Sequence, residues 1–345
     1  MHPLEKEILA VIRTAGLVSP GEGVVAGVSG GPDSMALLHV LAALAPTLGI
    51  RIIAVYVNHQ LRPEEAEQEG RLVERLARSL GASFATCRID VHGEVAKRKI
   101  SIEHAARELR YEFFDRVAEK FLAGKIAVAH TADDQAEEVL LRLIRGTGRT
   151  GLAGMKMMRD GKIIRPFLTT AKEQLLTYLA ERHIPFLIDS SNLQREYLRN
   201  RVRLDLIPYL REFNPNISEV LRQTATVLQD EEMVLTALTA SYWERIVTVL
   251  PAPAGDGLPA VSVDLAAFLA LDRALQRRMA EKVFITLQSR PQFKKIAQIL
   301  QVAAHGETGA RLHFSRGLRM QKGRQHLVFS YPAGKIAGRG DLDDV

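Results

Sequence analysis

The amino-acid sequence predicts an α/β fold: a Rossmann-like, mostly parallel sheet with helices on both faces, followed by a smaller, mainly helical domain that ends in short strands. Three observations predict it. Short apolar runs alternate with helical segments through the first half of the chain. The first apolar run feeds directly into a glycine-rich turn and a helix. After about residue 190 the alternation stops and long helical stretches take over. Strands alternating with helices are the pattern of βαβ units, whose helices cover both faces of a parallel sheet.

Each element has its own signal. Met1 to Thr14 mix Glu and Lys into a helical pattern, unlike a signal peptide. Gly23 to Val28 form a short apolar strand, and Met35 to Leu44 an apolar-rich helix. Arg51 to Val57 read as a second strand, Glu64 to Leu80 as an amphipathic helix, and Ser83 to Ile89 as a third strand. Ser101 caps a helix that runs to Phe121. Lys125 to His130 make a fourth strand, and Asp133 to Arg145 another helix. In such sheets ligands sit beyond the carboxyl ends of the strands. Polar chemistry stands at three of those ends: Ser29 to Ser34, Asn58 to Arg62, and His130 to Gln135.

This places a first domain at residues 1–212, closing with a basic helical stretch from Arg195 to Arg211. A smaller domain at 213–331 holds a long helix from Ser218 to Val249 and a Pro/Gly/Ala-rich connector from Pro251 to Pro259. Helices at Leu265 to Gln288 and Gln292 to Ala304 follow, then strand-like runs at Arg311–Phe314, Leu318–Gln321 and His326–Phe329. Residues 332–345 read as a flexible tail.

Composition narrows the function classes. No apolar run approaches the roughly 18 residues that a membrane span needs. The one cysteine, Cys87, excludes an internal disulfide, a CxxC redox pair and a thiolate zinc site, and a cytoplasmic setting follows. Forty-six Lys and Arg against forty Asp and Glu leave a formal charge of +6, which permits a polyanionic partner.

Gly27-Val-Ser-Gly-Gly-Pro-Asp-Ser34 carries the most chemistry. Adjacent glycines let backbone amides approach an anion, and the helix that follows adds unpaired N–H groups and positive partial charge. Ser29 and Ser34 add hydroxyls, so Ser29, Gly30, Gly31, Pro32 and Ser34 read as a phosphate cradle. Asp33 is a hard oxygen ligand beside it, suited to Mg²⁺. A plain helix cap would need fewer of these residues. The same stretch spells GxSxG at Gly27, Ser29 and Gly31, the hydrolase nucleophile elbow, which makes a serine hydrolase the rival reading. The Walker pattern is absent, because no Lys follows the glycines. Gly146 to Gly151 spell GxGxxG but follow a helix, so the dinucleotide fingerprint lacks its context.

The Ser29–Ser34 stretch resembles the SGGxDS loop of the N-type ATP pyrophosphatases, the PP-loop superfamily. Further segments narrow the resemblance: Val57-Asn-His-Gln-Leu-Arg62, Ile102 to Tyr111, His130 to Gly148, and Asp189-Ser-Ser-Asn192 followed by Arg199-Asn-Arg-Val-Arg203. Together, over about residues 22–212, they resemble the tRNA(Ile)-lysidine synthetase family. The resemblance implies a ligase that consumes ATP, adenylates the wobble cytidine of a CAU anticodon in an isoleucine tRNA, and lets free L-lysine displace AMP to give lysidine. Another PP-loop enzyme acting on RNA is the nearest alternative; a thiolation enzyme would need catalytic cysteines that this chain lacks.

The resemblance implies roles for particular residues. Asp33 and Asp134 would serve the metal and phosphate side, and His59 lies where it could touch the nucleotide. Asp133 or Glu137 would contribute to the lysine pocket. The side-chain amine of lysine has a reference pKa near 10.4, so a base must take its proton; His130, Asp133 and Asp134 are the candidates. Arg107, Arg110 and Arg203 would clamp phosphate, and Arg195, Arg199, Arg201, Arg203 and Arg211 would track RNA phosphates. The smaller domain is expected to bind tRNA.

Overall fold

The computed structural model describes residues 1–60, 63–98, 101–188, 195–251 and 259–331. The expectations for Leu61, Arg62, the Asp189–Asn192 segment, most of the connector and the 332–345 tail lie outside the described residues. The chain divides into two compact units, Met1–Gln229 and Asp230–Val345.

The first unit runs α1 (Pro3–Thr14), β1 (Gly23–Gly27), α2 (Pro32–Leu48), β2 (Arg51–Asn58), α3 (Pro63–Ser79), β3 (Ser83–Arg88), α4 (Val91–Arg98), α5 (Ile102–Lys120), β4 (Ala123–Ala127), α6 (Ala132–Arg145), α7 (Arg149–Leu152), β5 (Met158–Arg159), β6 (Ile163–Ile164), α8 (Lys172–Glu181), α9 (Leu198–Arg201) and α10 (Ile207–Phe213). The strands form one sheet in the order β3-β2-β1-β4-β6-β5, parallel except for the edge strand β5. The four anticipated strands appear in the expected order, the fourth at Ala123–Ala127 and not Lys125–His130, so that His130 lies beyond the strand end. The helices α4, α7 and α8 and the short β5–β6 pair are additions to the sequence reading; two-residue strands carry no periodicity to read.

Both faces of the sheet are covered, so its strands are apolar on both sides. Along β2, Ile52, Ala54 and Tyr56 join one core with α1, α2, α3 and α8, while Ile53, Val55 and Val57 join the other with Phe114 and Val117 of α5. This is the two-residue alternation of a strand. Ser101 caps α5 as expected, its hydroxyl accepting the His104 N–H at 3.2 Å. Strand order reverses at β1: β2 and β3 lie on one side, β4 and β6 on the other. That switch point opens a crevice above the carboxyl ends of β1 and β4.

After α9 the helix widens into a π-helical turn at Val202–Leu206. Pro208 has no N–H to return to the Leu204 carbonyl, and the Ile207 N–H reaches back five residues to the Val202 carbonyl. Arg203 projects from this turn.

A helix α11 (Ile217–Ile246) carries the chain into the second unit, which continues with β7 (Val247–Leu250), β8 (Ala260–Asp264), α12 (Leu265–Leu269), α13 (Arg273–Thr286), α14 (Phe293–His305), β9 (Arg311–His313), β10 (Arg319–Lys322) and β11 (His326–Ser330). The three expected terminal strands belong to a five-stranded antiparallel sheet, β7-β8-β11-β10-β9. The structure corrects the sequence reading at three points: the helix expected over Leu265–Gln288 is two, α12 and α13; Val247–Val249 form a strand and not a helix end; and β8 is a strand with no expectation behind it. The last two share a cause. Both are short β-branched runs beside the connector, and their strand character comes from pairing with one another and with β11. Phe284, Ile299, Met320 and Phe329 fill this unit's core. Within it, Glu232 and Arg278 form a two-pronged ion pair, with Arg278 Nη1 donating to Glu232 Oε1 at 2.6 Å. No described helix is long and apolar enough to cross a membrane.

Gly27 ends β1 under the aromatic floor of the crevice. A Cβ there would lie 2.6 Å from Phe114 Cζ, and Phe114 is buried. Gly27→Ala should therefore destabilise the chain by about 1–3 kcal/mol through overpacking, read as a lower denaturant midpoint; an unchanged midpoint would mean that the ring moves aside freely.

Candidate active site

The crevice holds a cavity of about 500 Å³. Its walls come from the loop after β1 (Ser29 to Ser34), His59 and Gln60 after β2, Arg110 and Tyr111 of α5, His130 and Asp134 after β4, Lys172 at the start of α8, and Arg203. The structure thus brings most of the anticipated residues to one place.

The loop is built for backbone approach. Gly30 has φ +86°, a left-handed conformation that glycine adopts without strain. A Cβ on it would meet Glu69 Cβ at 3.2 Å. Ser34 Oγ accepts the Ser29 N–H at 3.1 Å and donates to the Gly31 carbonyl at 2.9 Å. Gly31 caps α2 without a side-chain bond, and Pro32 occupies its first turn, where a missing N–H costs nothing. The α2 N-terminus therefore faces the cavity from the residues that line it. Ser29 Oγ meets Ser34 Oγ at 3.2 Å, and no histidine among the described residues bonds to it. The nucleophile-elbow reading has no base here.

Asp33 is half-screened by one cation. Lys172 Nζ donates to Asp33 Oδ2 at 3.3 Å, while Oδ1 is buried without a partner. Burial raises the Asp33 carboxyl above the usual range, and Lys172 only partly opposes this. Sequence reasoning misses Lys172: it sits 139 positions from Asp33 and has no motif around it.

Asp134 and Glu137 lie three residues apart on one face of α6. Asp134 closes a capping box: its Oδ2 accepts the Thr131 N–H at 2.8 Å and the Thr131 hydroxyl at 2.9 Å. Its Oδ1 accepts from Arg199 Nη2 at 3.0 Å and Arg203 Nη2 at 3.2 Å. Glu137, buried, accepts from Arg203 Nε at 2.5 Å and from Arg199 Nε at 3.1 Å. Burial works to raise the Asp134 carboxyl, but Arg199 and its other partners hold it below the usual range. Both carboxylates are saturated with donors.

His130 accepts from Arg165 Nε at its Nδ1, 3.1 Å away. Burial pushes the imidazole down to about 3 against the opposing pull of Asp134, so the ring is neutral. His59 is pushed down to about 4 by burial and by Arg110, and its Nδ1 is buried without a partner.

Three anticipated residues stand apart. Asp133 caps the start of α8, accepting the Lys172 N–H at 2.8 Å, and lines a separate cleft of about 200 Å³ with Asn216 and Glu219. Arg107 does not line the cavity; its guanidinium stacks 5.3 Å from the centroid of Tyr111, which does. Arg199, like Arg203, faces inward onto Asp134 and Glu137, so both leave the expected RNA track, whereas Arg195, Arg201 and Arg211 are exposed. Cys87 on β3 has its thiol pushed up to about 11 by burial, the opposite of an activated nucleophile.

The Asp134–Glu137–Arg199–Arg203 cluster ties α6 to the segment beyond residue 195. Glu137→Ala strips the two guanidiniums of their most buried partner and should cost on the order of 3 kcal/mol, seen as a lower thermal midpoint of the full chain; a midpoint equal to that of the unaltered chain would mean that solvent replaces the carboxylate.

A family model described as the PP-loop domain matches residues 2–210. The chain is 32% identical to the tRNA(Ile)-lysidine synthase of Bacillus subtilis (strain 168) over 333 residues, 94% of this chain and 69% of that protein. It is 33% identical to that of Geobacter sulfurreducens over 341 residues, 98% and 71% respectively. The corresponding protein of Clostridium tetani is 42% identical over 217 residues, 63% of this chain and 46% of that one. Among solved structures, the U34-tRNA thiolase NcsA from Methanococcus maripaludis superposes with a TM-score of 0.53 at 17% identity, covering 66% of this chain and 80% of that one, a likeness of fold. The glycine-rich loop at the switch point, the cavity above it and these matches agree: the chain belongs to the tRNA(Ile)-lysidine synthase family, ATP-dependent ligases built on the PP-loop domain.

Proposed function

We propose that the protein ligates free lysine to C2 of the wobble cytidine in a CAU-anticodon isoleucine tRNA, through an adenylated tRNA. The observation that carries this reading is the Ser29–Ser34 loop opening at the α2 N-terminus into a 500 Å³ cavity ringed by Lys172, Arg110 and Arg203. Amides and a helix N-terminus suit phosphate, and the three cations suit the charge that builds as the bond between the α and β phosphates breaks. The cytidine 2-oxo oxygen attacks the α-phosphate and pyrophosphate leaves. The lysine amine then attacks C2 and AMP leaves.

A magnesium ion fits the donor set. Asp33 Oδ1 is a buried, unpartnered hard oxygen beside the phosphate loop, and Mg²⁺ characteristically takes one or two carboxylates plus substrate phosphates. When bound, the ion would neutralise charge on those phosphates. Asp134 would reach it only by exchanging an arginine contact.

Lysine brings a further cation to a site that already holds two arginines on two carboxylates. Its ammonium can bind Asp134 or Glu137 by replacing a guanidinium there, and the freed carboxylate can then take the proton. His130 is poorly suited as the base, because its Nδ1 is occupied by Arg165. The smaller unit and the exposed arginines Arg195, Arg201 and Arg211 would hold the tRNA, in keeping with the chain's positive balance.

Pyrophosphate release from ATP, with and without a CAU-anticodon tRNA and lysine, tests the whole reading; no tRNA-dependent release would overturn it. Asp33→Asn should reduce that release by at least about 10²-fold with the thermal midpoint kept, and retained release with unchanged Mg²⁺ dependence would sink the metal assignment. Replacing Arg201 and Arg211 together with Ala should lower the log–log salt slope of tRNA binding by roughly 0.7–0.9 for every RNA phosphate that the pair neutralises. An unchanged slope would place the RNA elsewhere.

A further inference from the structure

Arg165 has no role in the chemistry above, yet it is one of the most buried cations in the first unit, 3% exposed. It directly follows β6 and is fixed by its own backbone, whose N–H donates to the Met157 carbonyl at 2.8 Å. Its guanidinium is in hydrogen-bonding contact with no carboxylate among the described residues, and Glu138 acts on it only through space. Nη1 donates to the Lys156 carbonyl at 2.6 Å, and Nε to His130 Nδ1 at 3.1 Å. Arg107 and Arg159, both stacked 5.3 Å from the Tyr111 centroid, act on it as like charges. Burying a charge with no carboxylate in contact is costly, and an apolar side chain would pack there at less expense. What an apolar residue could not supply is a directed N–H aimed at one ring nitrogen.

That N–H decides the state of the ring. Guanidinium is a donor only, so the nitrogen it addresses must carry a lone pair. His130 is then neutral with its proton on Nε2. His130 lines the cavity, and with Nδ1 occupied, Nε2–H is the polar group its ring has left for a ligand. We propose that Arg165 is a positioning residue that locks His130 in the Nε2–H tautomer, so that His130 meets the bound nucleotide as a hydrogen-bond donor to an anionic oxygen and not as a base. The donor role rests on the nucleotide reading above; the tautomer does not.

The test uses the full chain labelled with ¹⁵N at histidine and long-range ¹H–¹⁵N correlation spectra without substrate, the His130 signals being assigned by their loss in His130→Gln. The unaltered chain should show Nε2 protonated and Nδ1 bare. Arg165→Met, checked for an intact thermal midpoint, should convert the ring to mixed tautomers or to the charged form, and Arg165→Lys, which keeps a donor, should restore Nε2–H in part. In pyrophosphate release Arg165→Met should lose about 10²-fold in kcat with KM for ATP changed by less than about threefold, since the donor acts on charge that develops during reaction. A His130 ring protonated at Nδ1 in the unaltered chain overturns the proposal, and that spectrum decides even if Arg165→Met fails to fold. A tautomer unchanged in a folded Arg165→Met overturns it as well. The expected tautomer in a chain that releases no pyrophosphate upholds the Arg165–His130 assignment and overturns the nucleotide reading instead.

Discussion

The cluster of Asp134 and Glu137 with Arg199 and Arg203 holds the site together. Four charges meet within hydrogen-bonding distance, two from the face of α6 and two from the helix that begins after residue 195. Each ion alone would be expensive to remove from water, and together they satisfy one another's donors and acceptors. The pairing works because the spacings agree. Carboxylates three apart on one helix face guanidiniums four apart on another, the second carried by a π-helical turn that the proline at 208 favours. One consequence is that the stretch of cavity wall formed by Asp134 and Arg203 carries charge already balanced. A cation that binds Asp134 there must exchange with an arginine, and an anion can draw Arg203 away from its carboxylates.

The cavity itself follows from topology. Strand order reverses beside β1, so the loops after β1 and β4 diverge and leave space between them. The glycines then determine how closely a ligand can approach the backbone. Gly27 gives room to Phe114 below the floor, and Gly30 takes the left-handed turn beside Glu69. Into this space the fold delivers two kinds of group. Some are committed to partners, such as Asp134. Others retain a free buried atom, such as Asp33 Oδ1 and His59 Nδ1. The uncommitted atoms are the ones with capacity left for a ligand, and both lie along the cavity wall.

The parallel sheet, the position of the phosphate loop and the family are legible in the amino-acid order alone. They rest on local signals: apolar runs with period two, adjacent glycines between a strand and a helix, and motifs whose residues are near one another along the chain. The same order sends Asp33, His130 and Asp134 to one cavity, because residues that follow strand ends in such a sheet converge whatever the side chains do, while Arg203 comes from a helical turn that pairs with Asp134 and Glu137. Which way each charge faces is a matter of packing. Asp133 and Asp134 are neighbours in sequence, yet successive helix positions differ by about 100°, and one caps α8 while the other faces the arginines. Arg199 and Arg201 split in the same way, inward and outward. Lys172 and Arg165 escape a sequence reading because their partners, Asp33 and His130, lie 139 and 35 positions away. Pairings over such separations are set by packing of whole elements, and no local pattern of residues encodes them.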